Sequence, residues 1–186
     1  MNEVILWILV ALCVIAIFII NSLIMKKNAV LNAFAGVDVQ LKKRCDLIPN
    51  LVASVKTYME HEAKVLTDVT AMRNQMHASG ASNAEKFELE RQIGTALRNV
   101  MVQLERYPDL KASANMIQLL HSINEVEEQV AAARRFYNAA ATDFNNAIQM
   151  IPGVFFAPML KLHAQELFTA DEEERKNVDV DQLFHA

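Results

Sequence analysis

VLNAFAGVDVQLKKRCDLIPNLVASVKTYMEHEAKVLTDVTAMRNQM, Val30 to Met76, is the stretch whose spacing sets the fold. Its seam positions advance by alternating steps of four and three: Val30, Phe34, Val37, Leu41, Arg44, Ile48, Leu51, Val55, Tyr58, Glu62, Val65, Val69, Met72 and Met76. Only Arg44 and Glu62 interrupt the apolar series. A repeat of about 3.5 residues held over this distance predicts a long helix whose seam faces another helix. Pro49 lies inside the pattern and lacks the amide proton of one helical bond, so a bend is expected there. The pattern resumes in phase, so one kinked helix is predicted.

Upstream, Val4 to Ile20 reads VILWILVALCVIAIFII, and Leu23-Ile24-Met25 extend the run. About 22 residues at ~1.5 Å each reach ~33 Å, the hydrocarbon thickness of a bilayer. The residues after Met1 are Asn2 and Glu3, so the basic n-region of a signal peptide is missing, and Leu12 before Cys13 does not fit a lipoprotein. An uncleaved single-pass anchor over 1–25 is expected. Lys26 and Lys27 follow it at once, and Lys42, Lys43 and Arg44 come one helical stretch later, against Glu3 on the other side. The positive-inside rule then places the following domain in the cytoplasm and the short N-terminus outside, with these basic residues drawn to anionic lipid.

Downstream, Ser79-Gly80 marks a turn and Ser82-Asn83-Ala84-Glu85 a capping box. A second helix carries Leu89, Ile93, Leu97, Val100, Leu104 and Tyr107 in phase, and Tyr107-Pro108-Asp109 breaks it. A third carries Met116, Leu119, Ile123, Val126, Val130, Ala133, Tyr137, Ala140, Phe144, Ile148 and Ile151, ending at Pro152-Gly153. The predicted fold is all-α. An N-terminal transmembrane helix is followed by an elongated up-and-down antiparallel bundle over 26–152, with helices near 28–78, 83–106 and 113–150. Residues 153–186 then form a short packing helix starting near Ala157 and an acidic tail containing DEEERK at 171–176. No strand is expected.

The composition narrows the chemistry. Four Gly, four Pro and 7% aromatics suit helix, and a net charge of −4 names no partner class. Cys13 and Cys45 have no neighbouring cysteine, so no disulfide framework or metal pair is expected. His61-Glu62 lacks the second His of a zinc helix, since position 65 is Val65, and no Glu has a His three residues later as a di-iron bundle requires. His121 and Glu125 form an ordinary i,i+4 pair. With no phosphate loop and one basic cluster beside the membrane, neither catalysis nor nucleic-acid binding is expected, and no cofactor or metal. Met59, Met72, Met76, Met101, Met116, Met150 and Met159 fall mostly on or beside core positions, so they are expected to fill the core rather than line a binding groove.

Arg44 and Glu62 remain as charges on the seam. They stand roughly 27 Å apart along one helix and cannot pair with each other. Either each meets a partner, with Glu127 or Glu128 offered to Arg44 and Arg134 or Arg135 to Glu62, or both snorkel to the surface. The long first helix carries more apolar seam than one chain covers, which predicts self-association.

The segment Ala35 to Arg73 (AGVDVQLKKRCDLIPNLVASVKTYMEHEAKVLTDVTAMR) resembles the LemA family. So do Tyr107 to Ser113 (YPDLKAS), Ala133 to Pro152 (ARRFYNAAATDFNNAIQMIP) and the ending from Glu166 to Val180. Ile151-Pro152 stands where Phe-Pro is common in that family. The resemblance implies one membrane span with a helical bundle and no established enzymatic activity. One branch of the family is associated with building magnetosome membranes. Asp38, Asp46, Asn50, Lys56 and Asn138 match polar positions of the family blocks. The expected function is a membrane-anchored, self-associating scaffold that organises or bends the membrane. The alternative is an adaptor docking a membrane protease or signalling protein. The interaction residues expected are Lys26, Lys27, Asp38, Lys42, Lys43, Arg44, Asp46 and Glu62.

Overall fold

A computed structural model of the chain describes residues 2–56, 67, 70–71 and 83–169. Glu62, the Ser79-Gly80 turn, the cap residue Ser82, the seam positions from Tyr58 to Val69, Met72 and Met76, and the 171–176 charge run all lie outside the described residues. Among the described residues the helices with defined bounds are, in order, α1 Asn2–Lys56, α2 Asn83–Leu104, α3 Pro108–Lys111, α4 Ala114–Gln149 and α5 Gly153–Phe156. No strand occurs among the described residues.

α1 is a single helix of 55 residues that passes through Pro49 without interruption. At ~1.5 Å per residue it is about 82 Å long. Its first half is long and apolar enough to cross a membrane, and among the described residues nothing covers its most apolar stretch. Its second half is the spine of the bundle. Val30, Ala33, Val37, Leu41, Arg44, Cys45, Ile48, Leu51 and Val55 are buried there, which is the seam that the 3.5-residue spacing predicts. Phe34 is partly buried beside them.

α4 lies antiparallel to α1, since Lys26 faces Asp143 while Arg44 faces Glu127. α2 runs parallel to α1, with Lys86 beside Asp38 and Glu90 beside Arg44. Ser113 caps α4 by accepting a hydrogen bond from the Met116 amide at 3.4 Å, and Pro108 opens α3 where its missing amide proton costs nothing.

The core has two apolar clusters. The one nearer the anchor joins Leu23, Val30, Ala33, Val37 and Leu41 to Val130, Tyr137, Ala141, Phe144 and Ile148. The farther one joins Cys45, Ile48, Leu51 and Val55 to Ile93, Leu97, Val100, Leu104, Met116 and Ile123. The described part of the α1 seam is therefore covered within one chain. The apolar surplus that predicted self-association is not found there.

Two further expectations change at the C-terminal end. The short helix comes before Ala157 rather than after it, and residues 162–169 have no regular secondary structure. Lys161 adopts a positive φ of 51°, and side chains of α4 then hold the backbone beyond it. The core role expected of methionine fails at Met150 and Met159, which are 65% and 66% exposed, and Ile151 is 78% exposed where the α4 stripe predicted burial.

Candidate functional site

Arg44 sits between the two apolar clusters and is 2% exposed. A guanidinium in such a place needs compensating charge, because unpaired burial of an ion costs several kcal/mol. Its Nη1 lies 3.1 Å from Glu90 Oε1 and donates to both carboxylate oxygens of Glu127, each at 3.1 Å. Its Nη2 donates to the Glu90 carbonyl at 2.8 Å. Arg134 of α4 pairs with the other oxygen of Glu90. Three helices thus converge on alternating charges in the order Glu127, Arg44, Glu90, Arg134. Arg44 Nε has no hydrogen-bond partner among the described residues.

Glu90 is as deeply buried as Arg44, whereas Glu127 and Arg134 keep 39% and 31% of their side-chain surface in solvent. The network therefore has a dry centre and two wet ends. Sliding one helix by a turn, ~5.4 Å, would push Arg44 against apolar side chains, so the ionic layer fixes helix register. Gly94 comes close without crowding; a methyl group there would lie 3.8 Å from Arg44 Nη1.

A strap crosses the side of this layer. Asn145 donates to the Gln165 carbonyl at 2.8 Å and accepts from the Gln165 amide at 2.7 Å. Asn138, seven residues earlier on the same face of α4, does the same for Phe168 at 2.9 Å in both directions. Each carboxamide imitates a neighbouring β-strand. Between them the Tyr137 hydroxyl donates to the Glu166 carbonyl at 2.9 Å. Burial, with the Glu166 carboxylate second, raises the Tyr137 pKa above its ordinary value, so the phenol remains a donor.

The strap ends in an aromatic cluster. The Phe168 ring lies 3.7 Å from that of Phe87 and 5.4 Å from Tyr137, and Phe34 completes the group. The Arg134 guanidinium sits 5.4 Å from the Phe168 ring centre. Phe87 and Phe168 border a cleft of about 290 Å³ that Arg44, Glu90, Glu127, Arg134 and the strap also line. Among the described residues no group of three or more His, Cys, Asp or Glu could hold a metal ion.

The other expected residues are scattered around this layer. Asp38 pairs with Lys86 at 2.7 Å and Lys26 with Asp143 at 3.1 Å, both at the surface. Lys27, Lys42, Lys43 and Asp46 are exposed on α1. Since α1 is continuous, Lys42 stands about 24 Å beyond Lys26 along the helix axis. Arg44 is enclosed by its own network and does not face lipid. Of the partners offered to it, Glu127 is the one in place. Glu90 is missing from the sequence reading, which took Leu89 as the seam residue. The steps Glu90, Ile93, Leu97, Val100, Leu104 carry its signal, a second charge on a 3-4 seam.

The LemA family profile matches residues 33–182, most of the chain and all of this ionic layer. The chain belongs to the LemA family. Protein LemA of Metamycoplasma hominis is 30% identical over 163 residues, which cover 88% of this chain and 74% of that protein. Two magnetosome proteins of Paramagnetospirillum magneticum, MamQ 1 and MamQ 2, are each 30% identical over 76 residues. That match covers 41% of this LemA-family chain and only 28% of either magnetosome protein.

Proposed function

We propose that this LemA-family protein is a non-enzymatic scaffold of the bacterial cytoplasmic membrane. In this reading α1 crosses the bilayer and the bundle stands on the cytoplasmic face. Copies associate to organise or bend the membrane. The observation that carries it is the continuity of α1: one helix from Asn2 to Lys56 is both the apolar run and the spine of the bundle. A bundle joined to its anchor without a linker holds a fixed angle to the membrane, as a shape-setting element requires. Lys26 and Lys27 after the span, against Glu3 before it, support the orientation. The partial likeness to two magnetosome proteins supports a membrane-organising role. With the described seam covered in cis, the bare part of α1 offers a surface to a second copy.

The mass and symmetry of the particle extracted in mild detergent test this reading, together with electron micrographs of liposomes carrying the full-length protein. A large ring or lattice with altered liposome shape supports it. Monomers on unchanged liposomes refute it. The charged cleft beneath the strap favours a second reading, an adaptor that docks a membrane protease or signalling protein. In that case a pull-down of the full-length protein returns one stoichiometric partner, and E127Q weakens the capture. Asp38 and Arg44 are engaged within the chain and offer such a partner little.

A further inference from the structure

We infer that the turn joining α4 to α5 is a second lipid-inserting element, seated in the leaflet beside α1. The inference rests on the reading that α1 spans the bilayer. The register comes from the pair between Lys26 and Asp143. From that point the two helices run antiparallel, so residues 144–150 descend along the last turns of the apolar run. Phe18, Ile19, Ser22 and Leu23 of α1 and residues 147 and 150–153 line one shared cleft of about 400 Å³. Lys26 marks where the apolar run ends. Phe18 lies eight residues before it, about 12 Å deeper by helical rise. A turn that reaches the level of Phe18 has passed the headgroups and entered the acyl region.

The composition of the turn fits that depth. From Phe144 to Leu160 there is no charged residue, and Asp143 and Lys161 bound the stretch. Ile151, Phe155, Met159 and Met150 are 65% to 78% exposed, with Val154 at 39% beside them. Elsewhere on the bundle, exposed large apolar side chains such as Leu31, Val102 and Phe136 are far apart in sequence. Isolated apolar side chains on a surface are ordinary, whereas a contiguous group marks contact with lipid or another protein. Continuity with the bare span selects lipid.

The turn is also held in place. Gly153 is buried, and any side chain there would collide with the Ala147 carbonyl and come into contact with Leu23. Leu23 itself is 3% exposed, sealed beneath the turn, so the outward residues project from a fixed base. An interfacial element of this kind immerses its apolar face about 5–10 Å below the headgroups. It would restrict tilt and rotation of α1 that a lone span leaves open.

The sole tryptophan, Trp7, lies in the apolar run and makes the test direct. Full-length protein is reconstituted in phosphatidylethanolamine–phosphatidylglycerol vesicles whose acyl chains are brominated near the glycerol end or near the methyl end. Wild type reports the span through Trp7; W7F/F155W reports the turn, and W7F/F136W reports an exposed site higher on α4. Phe155 is 71% exposed and Phe136 68%, so both substitutions leave packing intact. The expected result is loss of emission from W7F/F155W, stronger with the glycerol-end bromines, and none from W7F/F136W. Full emission from W7F/F155W while Trp7 is quenched overturns the insertion and leaves the span standing. Blue-shifted but unquenched emission assigns the patch to a second protein copy and overturns it as well. An unquenched Trp7 removes the span, and the insertion with it.

Discussion

Replacing Arg44 with methionine tests the ionic layer most severely. The substitution keeps an unbranched apolar stem while deleting the guanidinium, with its bonds to Glu127, the Glu90 carboxylate at 3.1 Å and the Glu90 carbonyl at 2.8 Å. Breaking a buried ion pair from one side costs about 3–5 kcal/mol, mostly through the charge left behind. Two features pull the value down. Glu127 is 39% exposed and can rehydrate, so its share is that of a surface pair, ~0–1 kcal/mol. Glu90 retains Arg134. We therefore expect R44M to lose about 3 kcal/mol, near the lower bound for a stranded buried charge. That is a large part of the ~5–15 kcal/mol of an ordinary domain. R44M/E90M, with both buried charges removed, should return to within about 1 kcal/mol of wild type, since apolar replacement of a buried pair is near neutral. The assay is urea unfolding of the full-length protein in micelles, followed by helical circular dichroism. A loss under about 1 kcal/mol for R44M, or a double variant no better than the sum of the singles, would refute the reasoning.

N145A removes two hydrogen bonds between α4 and the strap, worth ~0.5–1.5 kcal/mol each, and should speed limited proteolysis around 163–169 with little change in global unfolding. G153A forces the collision with the Ala147 carbonyl and should lower the unfolding midpoint. G94A has room for its methyl group and should raise stability by about 0.5–1 kcal/mol. Glu88 has its pKa lowered to about 2 from 4.5, first by its hydrogen bond to Arg91 and then by that to Gln92. Its contribution is therefore present above pH 4.5 and is lost as pH falls toward 2. On this exposed i,i+3 pair it amounts to ~0.3–0.5 kcal/mol, so E88Q should differ from wild type at pH 7 by no more than that and match it near pH 2.

The bundle was legible because its signal is periodic. Spacing alone placed Val30, Val37, Leu41, Ile48, Leu51 and Val55 on the buried seam, and the bare run before Lys26 was plain from composition. Arg44 stood out because a charge on an apolar seam has to be satisfied. Glu90 did not, because Leu89 beside it offered an apolar residue one position out of phase. The strap was illegible for a different reason. Its geometry is set by two carboxamides on another helix, Asn138 and Asn145, and an i,i+7 pair of asparagines has no pattern distinguishable from a solvated face. The burial expected of Ile151, Met150 and Met159 failed because apolarity does not say whether a side chain meets protein or lipid.

The continuity of α1 from bilayer to bundle is open to one direct distance measurement. Spin labels at Asn21 and Ala53, both exposed, in a C13A/C45A background stand 32 residues apart. One unbroken helix predicts a single narrow distribution centred near 48 Å, in vesicles as in detergent. A broad or markedly shorter distribution would mean that the bundle swings on a hinge above its anchor, and a fixed membrane-bound rod would be contradicted.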